Sequence, residues 1–479
     1  MPLSRLNAIP VSLRAWASAL LVVVTLLAAG CVEAPAAEAL PATADVAEPQ
    51  VESATLPANP ANPANAPTTA PTVAPTATIE PTAAPTDIPG PTQTPVPFGD
   101  VASGVPYRLP LVVQHVTETT AVLFFELHTA APGLLIYWPE ANPAEQHTVS
   151  LPADRSYHQV VLEGLQPGTS YAAIVGIGPE ASNGEYREPS YRGELWGTVT
   201  FTTTANPVEW PLRVGVIGDS GFGEQVTFDL AQDMAASDLD FTVHTGDVVY
   251  QMYNEGDPFE SYAFKWYQPL EAILERMPVY PVIGNHDVEE SAIWEDVPFY
   301  YRVFPPFPDP AFEPSAYDGR NMWYAVAYGD VQFLLLDTQV FFSEGGRAEQ
   351  EAWIAERLAD PRFRITIPVM HVPPYSYGRH AGTGLTVRGW TTLYEGANVP
   401  LVLSGHDHNY ERVTINGITY IISGGGSASL YPQTEDMPEG GVFIQQSHWV
   451  LLEIYEDRIE VQARGRDGTV LDRATIPLG

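Results

Sequence analysis

From Trp210 onward, apolar and β-branched runs follow one another at strand length: RVGVIG, DFTVHTG, VYPVIG, VQFLLLDT, ITIPVMH, PLVLSG and TYIISGGG. Helical patterns lie between some of them, notably over Glu224–Ser237 and Glu349–Leu358. Runs this uniformly apolar read as strands buried on both faces, and their alternation with amphipathic helices predicts an α/β layer architecture. Ligands in such folds gather at the carboxyl ends of the strands, where the loops begin. The residues that close the runs are GDSG (218–221), GDVVY (246–250), GNHD (284–287), MH (370–371) and GHDH (405–408).

Taken singly, each closing motif is ordinary. Asp and Asn after a glycine are common turn residues because they tolerate tight local conformations. In GHDH, His406 and His408 stand two apart, so on an extended segment their rings point to the same side. That suits metal ligation, and equally a polar strand end beside a turn. Five such ends in one domain, each carrying an oxygen or imidazole donor, converge on a metal site. Its candidate ligands are Asp219, Asp247, Asn285, His371, His406 and His408.

The preceding hundred residues read differently. VVQHVTETTAVLFFEL, GLLIYW, HQVVLEGLQPGTSYAAIVGIG and GTVTFTTT are short strand-like runs, LQPGTSY supplies a turn, and no helical period is visible. Several short strands in such a length predict a β-sandwich over 101–206. His115, His128, His147 and His158 fall there without metal-like spacing and read as surface or strand histidines.

The first hundred residues concern the address. Arg5 and Arg14 precede an apolar run from Ala15 to Ala29, short for a membrane span, followed by Gly30 and Cys31. This is the layout of a signal peptide over 1–30. LLAAG before Cys31 resembles the bacterial lipoprotein lipobox, with Ala28 where leucine is commoner, and implies lipidation of that thiol. A secreted chain with a chance cysteine, or an uncleaved anchor helix, are the other readings, and all three export the rest. Cys31 is the only cysteine, so no disulfide closes within the chain. Residues 31–100 are nearly all Ala, Pro, Thr, Val and Glu, a composition that favours extended, polyproline-like chain. At about 3.1 Å per residue this stalk would reach on the order of 200 Å.

The net charge of −36, with Lys265 the single lysine, argues against non-specific nucleic-acid binding, which needs clustered cations. It fits an exported protein kept soluble by self-repulsion.

The motifs GDxG, GDxxY, GNH[DE], VxxH and GHxH, met in that order, resemble the calcineurin-like metallophosphoesterase superfamily, and within it the purple acid phosphatases. Pro368 departs from the pattern where VxxH has valine. The sandwich, with its LxPGTxY turn and final FTT strand, resembles the fibronectin type III-like domain that precedes the catalytic domain in plant-type members. The resemblance implies an α/β four-layer sandwich over 210–479, βαβαβ strands flanked by helices, behind an all-β domain. Most of the superfamily carries a histidine two residues after the first aspartate, where this chain has Gly221. Tyr250 looks like the replacement ligand. The family assignment then gives one metal to Asp219, Asp247, Tyr250 and His408. It gives the second to Asp247, Asn285, His371 and His406, with Asp407 only a spacer. Two carboxylates and a phenolate suit Fe(III), and the more neutral set suits Zn, Mn or Fe(II).

The implied activity is phosphomonoester hydrolysis through a hydroxide held by the metal pair. His286 is the first candidate to protonate the leaving group, with Asp287 favouring its charged form. His380, in the loop HVPPYSYGRH, is the second, and Arg379 beside it a candidate phosphate contact. His244 and His448 read as packed histidines. A phosphodiesterase or nucleotidase on the same centre, and a non-catalytic wall-binding protein, are the alternatives. The expected partners are a small phosphorylated substrate and, through Cys31, the outer face of a bacterial cytoplasmic membrane. The aromatic-rich insertion between His286 and Gln332 is the expected specificity element.

Overall fold

The computed structural model describes residues 107–177, 198–250, 257–288, 299–305, 323–339, 346–381, 384 and 387–479. The signal peptide, the stalk and Cys31 lie outside the described residues, as does most of the aromatic-rich insertion.

The first described strands are β1 (Tyr107–Val116), β2 (Thr120–Leu127), β3 (Gly133–Pro139), β4 (His147–Leu151), β5 (Tyr157–Glu163), β6 (Ser170–Ile177) and β7 (Thr198–Thr202). They form two antiparallel sheets, β1-β2-β5 and β4-β3-β6-β7. Leu111, Leu123 and Phe125 of the first sheet and Leu135, Ala173, Val175 and Phe201 of the second share one core. An all-β region thus stands where strands alone were expected.

The remaining elements alternate as the apolar runs predict. In order they are β8 (Leu212–Ile217), α1 (Gln225–Ala235), β9 (Phe241–His244), α2 (Pro258–Tyr262), α3 (Gln268–Leu274), β10 (Val279–Pro281) and α4 (Phe299–Val303). Next come β11 (Tyr324–Tyr328), β12 (Val331–Leu335), α5 (Gly346–Leu358), β13 (Ile365–Val369), α6 (Arg388–Gly396), β14 (Leu401–Ser404), β15 (Tyr410–Ile415) and β16 (Ile418–Ser423). The chain ends with β17 (Val442–Ile444), β18 (His448–Ile454), β19 (Arg458–Gly465) and β20 (Val470–Pro477). One sheet runs β10-β9-β8-β18-β19-β20 and the other β11-β12-β13-β14-β16-β15-β17.

Four layers result. Val214, Val216 and Phe241 of the first sheet meet Phe333, Val369 and Leu403 of the second in a central core. On the outer face of the first sheet, α1 buries Val226, Leu230, Ala231 and Met234, spacings that place them on one stripe of the helix. On the outer face of the second lie Ile354 of α5 and Trp390 and Tyr394 of α6. α5 begins at Gly346, three residues before the start read from the sequence. The metallophosphoesterase α/β sandwich expected from the motifs is the fold observed.

The β-sandwich is joined to this domain by shared packing and by polar bonds. Leu109, Val112, Phe124 and Tyr157 belong to the same apolar cluster as Tyr262, Trp266 and Tyr301. Glu126, 1% exposed, takes Arg302 of α4 in a two-pronged contact at 2.8 and 2.5 Å. Thr200 N donates to Glu275 O at 2.8 Å.

Candidate metal centre

Within each sheet the strands that end in a motif run parallel: β8, β9 and β10 in one, β13 and β14 in the other. Parallel strands bring their carboxyl ends to one side of a sheet, so the five closing motifs meet. At three of them the chain turns through a left-handed residue that is not glycine: Asp219 (φ 55°), Asp247 (φ 54°) and His406 (φ 72°). Such conformations cost free energy and persist where the surroundings over-determine them, commonly at functional sites. Glycines of the closing motifs have a steric reason. A Cβ on Gly284 would lie 2.1 Å from Asp247 Oδ1, and one on Gly405 would lie 2.5 Å from Asp219 Oδ2.

One set of donors gathers around Tyr250. Its hydroxyl lies 3.1 Å from Asp219 Oδ1 and 2.9 Å from His408 Nε2, and His408 Nε2 is 3.6 Å from Asp219 Oδ1. His408 Nδ1 donates to the Ser429 carbonyl at 2.5 Å, which fixes the tautomer and leaves the Nε2 lone pair facing inward. Phe222 stacks on the Tyr250 ring at 3.9 Å and Tyr431 on the His408 ring at 4.1 Å. The loop depends on Gly221. Its carbonyl accepts the Tyr250 N–H at 2.9 Å, and a Cβ there would lie 2.5 Å from the Val248 carbonyl carbon. A histidine at 221 and this course of the Tyr250 loop exclude one another.

The second set gathers around His371. Its Nδ1 donates to Thr245 O at 2.9 Å, while Nε2 lies 3.0 Å from Asn285 Oδ1 and 3.3 Å from Asp247 Oδ2. Donor atoms of Asp219, Asp247 and His371 fall within 4.8 Å of one another, all buried. The His406 ring lies 5.0 Å from that of His371, and its backbone N–H donates to Asp219 Oδ2 at 3.0 Å.

The electrostatics fit cations. Burial, reinforced by Asp247, pushes the Asp219 carboxyl well above its ordinary value despite the opposing pull of His371. Burial and then Asp219 push the Tyr250 phenol up. Burial opposes the Asp247 charge too, yet His371 holds that carboxyl well below its usual range. Burial would lower His371, but the Asp247 carboxylate outweighs it and raises the imidazole to about 9. Burial lowers His408 to about 4, and lowers His406 as well. Buried carboxylates, a phenol and neutral imidazoles with converging lone pairs are the donor set that metal ions complete, displacing the His371 proton. Asp219, Asp247, Tyr250 and His408 fit one ion, and Asp247, Asn285 and His371, with His406 beside them, fit a second.

The remaining site candidates are placed as follows. The His286 ring lies 4.5 Å from the Tyr250 ring, and its backbone N–H donates to Asp247 Oδ1 at 2.9 Å. Asp287 is buried, and its carboxylate accepts the N–H groups of Gly284, Asp247, Val248 and Val249 at 2.8–3.3 Å. Besides standing next to His286, Asp287 thus holds the Asp247 loop through three of these donors and its own loop through the fourth, Gly284 N. The His380 ring lies 4.3 Å from His406, and the Arg379 guanidinium sits over Tyr431 at 4.6 Å. His244 is buried; its Nδ1 accepts from Gly246 N at 3.2 Å, so Nε2 donates to Ser220 Oγ at 2.8 Å. His448 is buried in β18, its Nδ1 donating to Gln446 O at 2.9 Å.

Several residues were not singled out in the sequence. Tyr431 and Phe222 frame the site, and Lys265, in a π-helical turn (Ala263–Tyr267), donates to the Tyr250 carbonyl at 2.7 Å. Asp407 is no mere spacer: it is fully buried and bonded to the His380 loop. Phe222 carried no signal, since an aromatic after a turn is common, and Lys265 stood out only as the single lysine.

A helix-sheet-sheet-helix sandwich with buried donors at its strand ends defines a metal-dependent phosphoester hydrolase domain. Residues 212–410 match the family model for calcineurin-like phosphoesterase, and this part of the chain is a calcineurin-like phosphoesterase domain. Purple acid phosphatase 23 of Arabidopsis thaliana is 26% identical over 282 residues, covering 53% of this chain and 57% of the relative. A nucleotide pyrophosphatase/phosphodiesterase of Hordeum vulgare is 24% identical over 308 residues, covering 51% of this chain and 76% of that protein. The purple acid phosphatase isolated from yellow lupin (Lupinus luteus) seeds shares the fold with a TM-score of 0.56 at 19% identity, covering 78% of this chain and 74% of that one. The chain spans about half the length of the plant phosphatases it matches.

Proposed function

We propose that the protein is an exported phosphatase of purple-acid type that hydrolyses small phosphomonoesters at a dinuclear metal centre. One observation carries the reading. Tyr250, Asp219 and His408 converge within 3.6 Å, while Asp247, Asn285 and His371 converge within 3.3 Å beside them. Two cations held there would polarise the phosphoryl oxygens and lower the pKa of an attacking water. The phenol supports Fe(III) at the first position, and the more neutral donors support Zn, Mn or Fe(II) at the second.

The chain's own groups do the rest. Asp287 fixes the Asp247 loop through three backbone N–H bonds, and Thr245 O and Ser429 O hold His371 and His408 in the tautomers that ligate. His286 on the Tyr250 side and His380 on the His406 side flank the centre, one placed to give a proton to the leaving oxygen. Export, with lipid anchoring at Cys31, rests on the N-terminal sequence. No helix among the described residues is long and apolar enough to cross a membrane.

Arg379 supports a second reading, a phosphodiesterase or nucleotidase on the same centre. It is exposed over Tyr431, placed for extra negative charge on a leaving group, and the barley relative carries such an activity in its name. Purified protein is assayed for bound metal, and for turnover of p-nitrophenyl phosphate, bis(p-nitrophenyl) phosphate and ATP. The monoester reading expects two metal equivalents, preference for the first substrate, and no turnover in Asp247→Ala/His406→Ala. A visible band absent from Tyr250→Phe marks Fe(III). Protein without metal, or a double variant as active as the wild type, sinks the proposal.

A further inference from the structure

The loop that carries Arg379 and His380 is tied to the GHDHNYER segment by two buried carboxylates. Asp407, between the two histidines of the motif, is 0% exposed, and Glu411, just after it, is 1% exposed. Asp407 accepts the His380 backbone N–H at 3.0 Å and the Ser376 hydroxyl. Glu411 accepts the Tyr377 N–H at 2.8 Å through one oxygen and faces Ser376 Oγ at 3.2 Å through the other. Ser376 Oγ in turn accepts the Gly378 N–H at 3.1 Å. One hydroxyl proton therefore serves two carboxylates, while three loop amides point into the same cluster. The backbones run close: a Cβ on Gly378 would lie 2.8 Å from Asp407 Oδ1 and 2.5 Å from Asn409 Nδ2.

Buried carboxylates are costly to keep without partners, and here the partners come mostly from this loop. Its far end is the functional one. His380 reaches to 4.3 Å from the His406 ring, and Arg379 covers Tyr431, which stacks on His408. The segment that carries His406 and His408 is thus the segment that fixes Arg379 and His380. We infer that Ser376, Asp407 and Glu411 form a clamp that sets His380 against the bound phosphoester. They are positioning residues: none has to touch the substrate, and each acts through His380. The inference rests on the phosphatase reading above.

The test has two arms on the full chain. In the first, kcat/KM for p-nitrophenyl phosphate is measured for Ser376→Ala, His380→Ala and the double variant, with metal content checked in each. Misplacing a reacting group by about 1 Å can cost on the order of a hundredfold, so Ser376→Ala is expected to lose at least about tenfold. That loss should vanish in the His380→Ala background, because a residue acting through another has nothing left to position. Losses that multiply, a silent His380→Ala, or metal lost from Ser376→Ala overturn the clamp.

In the second arm, amide exchange is followed in the metal-free protein. The Tyr377, Gly378 and His380 amides should be protected, and should exchange faster in Ser376→Ala and in Glu411→Gln, which keeps a single acceptor oxygen. Unchanged exchange in both variants overturns the clamp, and the Glu411 variant keeps the arm decisive if Ser376→Ala does not fold. A wild-type protein that binds metal without hydrolysing phosphoesters would end the phosphatase reading, while the exchange arm still decides the clamp.

Discussion

Gly221 is where the structure makes its sharpest demand. A Cβ there would lie 2.5 Å from the carbonyl carbon and oxygen of Val248 and 2.6 Å from Val249 Cα. Carbon atoms pack at about 3.5–4.0 Å, so Gly221→Ala requires roughly 1 Å of backbone movement. Little in the surroundings gives way. Val248 and Val249 are 0% and 1% exposed, their N–H groups are held by Asp287 at 3.0 and 3.3 Å, and the Tyr250 N–H is held by the carbonyl of residue 221 itself. Overpacking of this kind costs about 1–3 kcal/mol. The same shift draws Tyr250 away from Asp219 and His408, and a displacement of about 1 Å at a reacting centre costs on the order of a hundredfold in rate. The assay is urea unfolding of the metal-free protein, followed by metal content and p-nitrophenyl phosphate turnover after loading. Gly396→Ala, where a Cβ would meet nothing within 4 Å, is the control and should match the wild type. Gly221→His should fare worse than Gly221→Ala, although it installs the ligand most of the superfamily carries there. A Gly221→Ala protein that unfolds at the wild-type urea concentration and holds its full complement of metal would refute the reasoning.

Three further outcomes follow from named contacts. Lys265→Met removes the 2.7 Å bond to the Tyr250 carbonyl and should cost about 1–3 kcal/mol, with faster metal loss to a chelator than in the wild type. Arg302→Met strips the buried Glu126 of its two-pronged partner, leaving Arg108 4.0 Å away, and should cost about 3–5 kcal/mol in urea unfolding. Adding Glu126→Gln to that variant should recover at least half the loss; no recovery would show that the charge is not what matters. His448 tests pH. Burial lowers it from 6.5 to about 4 in the folded protein, so between those values the unfolded chain binds a proton that the folded chain does not. Stability is therefore full above pH 6.5 and falls as pH drops toward 4, by at most about 3 kcal/mol. His448→Gln should flatten the pH dependence of the urea midpoint across that window, and an unchanged slope would remove His448 as its source.

The layered fold was legible because strand-length apolar runs such as VQFLLLDT and PLVLSG can be buried only between layers. The helix starts were less so. α5 begins before its first apolar repeat, at Gly346, since a helix may extend through residues that carry no apolar pattern. The donors at strand ends could be named because Gly-Asp, Gly-Asn and Gly-His are short, local signatures of a chain turning sharply out of a strand. What could not be read was the use each side chain makes of its neighbours. In the sequence Asp287 reads only as a neighbour of His286, while its carboxylate also accepts four backbone N–H groups from two loops.

By itself, the sequence determined the order of strands and helices and marked candidate donors at the strand ends, because these depend on local apolar period and turn chemistry, while Tyr250 was marked only through the family resemblance. Only the tertiary structure decided which donors face one another, that Gly221 must stay bare for Tyr250 to reach Asp219, and that Asp407 holds the His380 loop. Those contacts join residues from 27 positions apart (Gly221 and Val248) to 189 (Asp219 and His408), brought together by the carboxyl ends of parallel strands and the loops that leave them. Sequence spacing carries no information about a Cβ that would collide with a backbone so far along the chain.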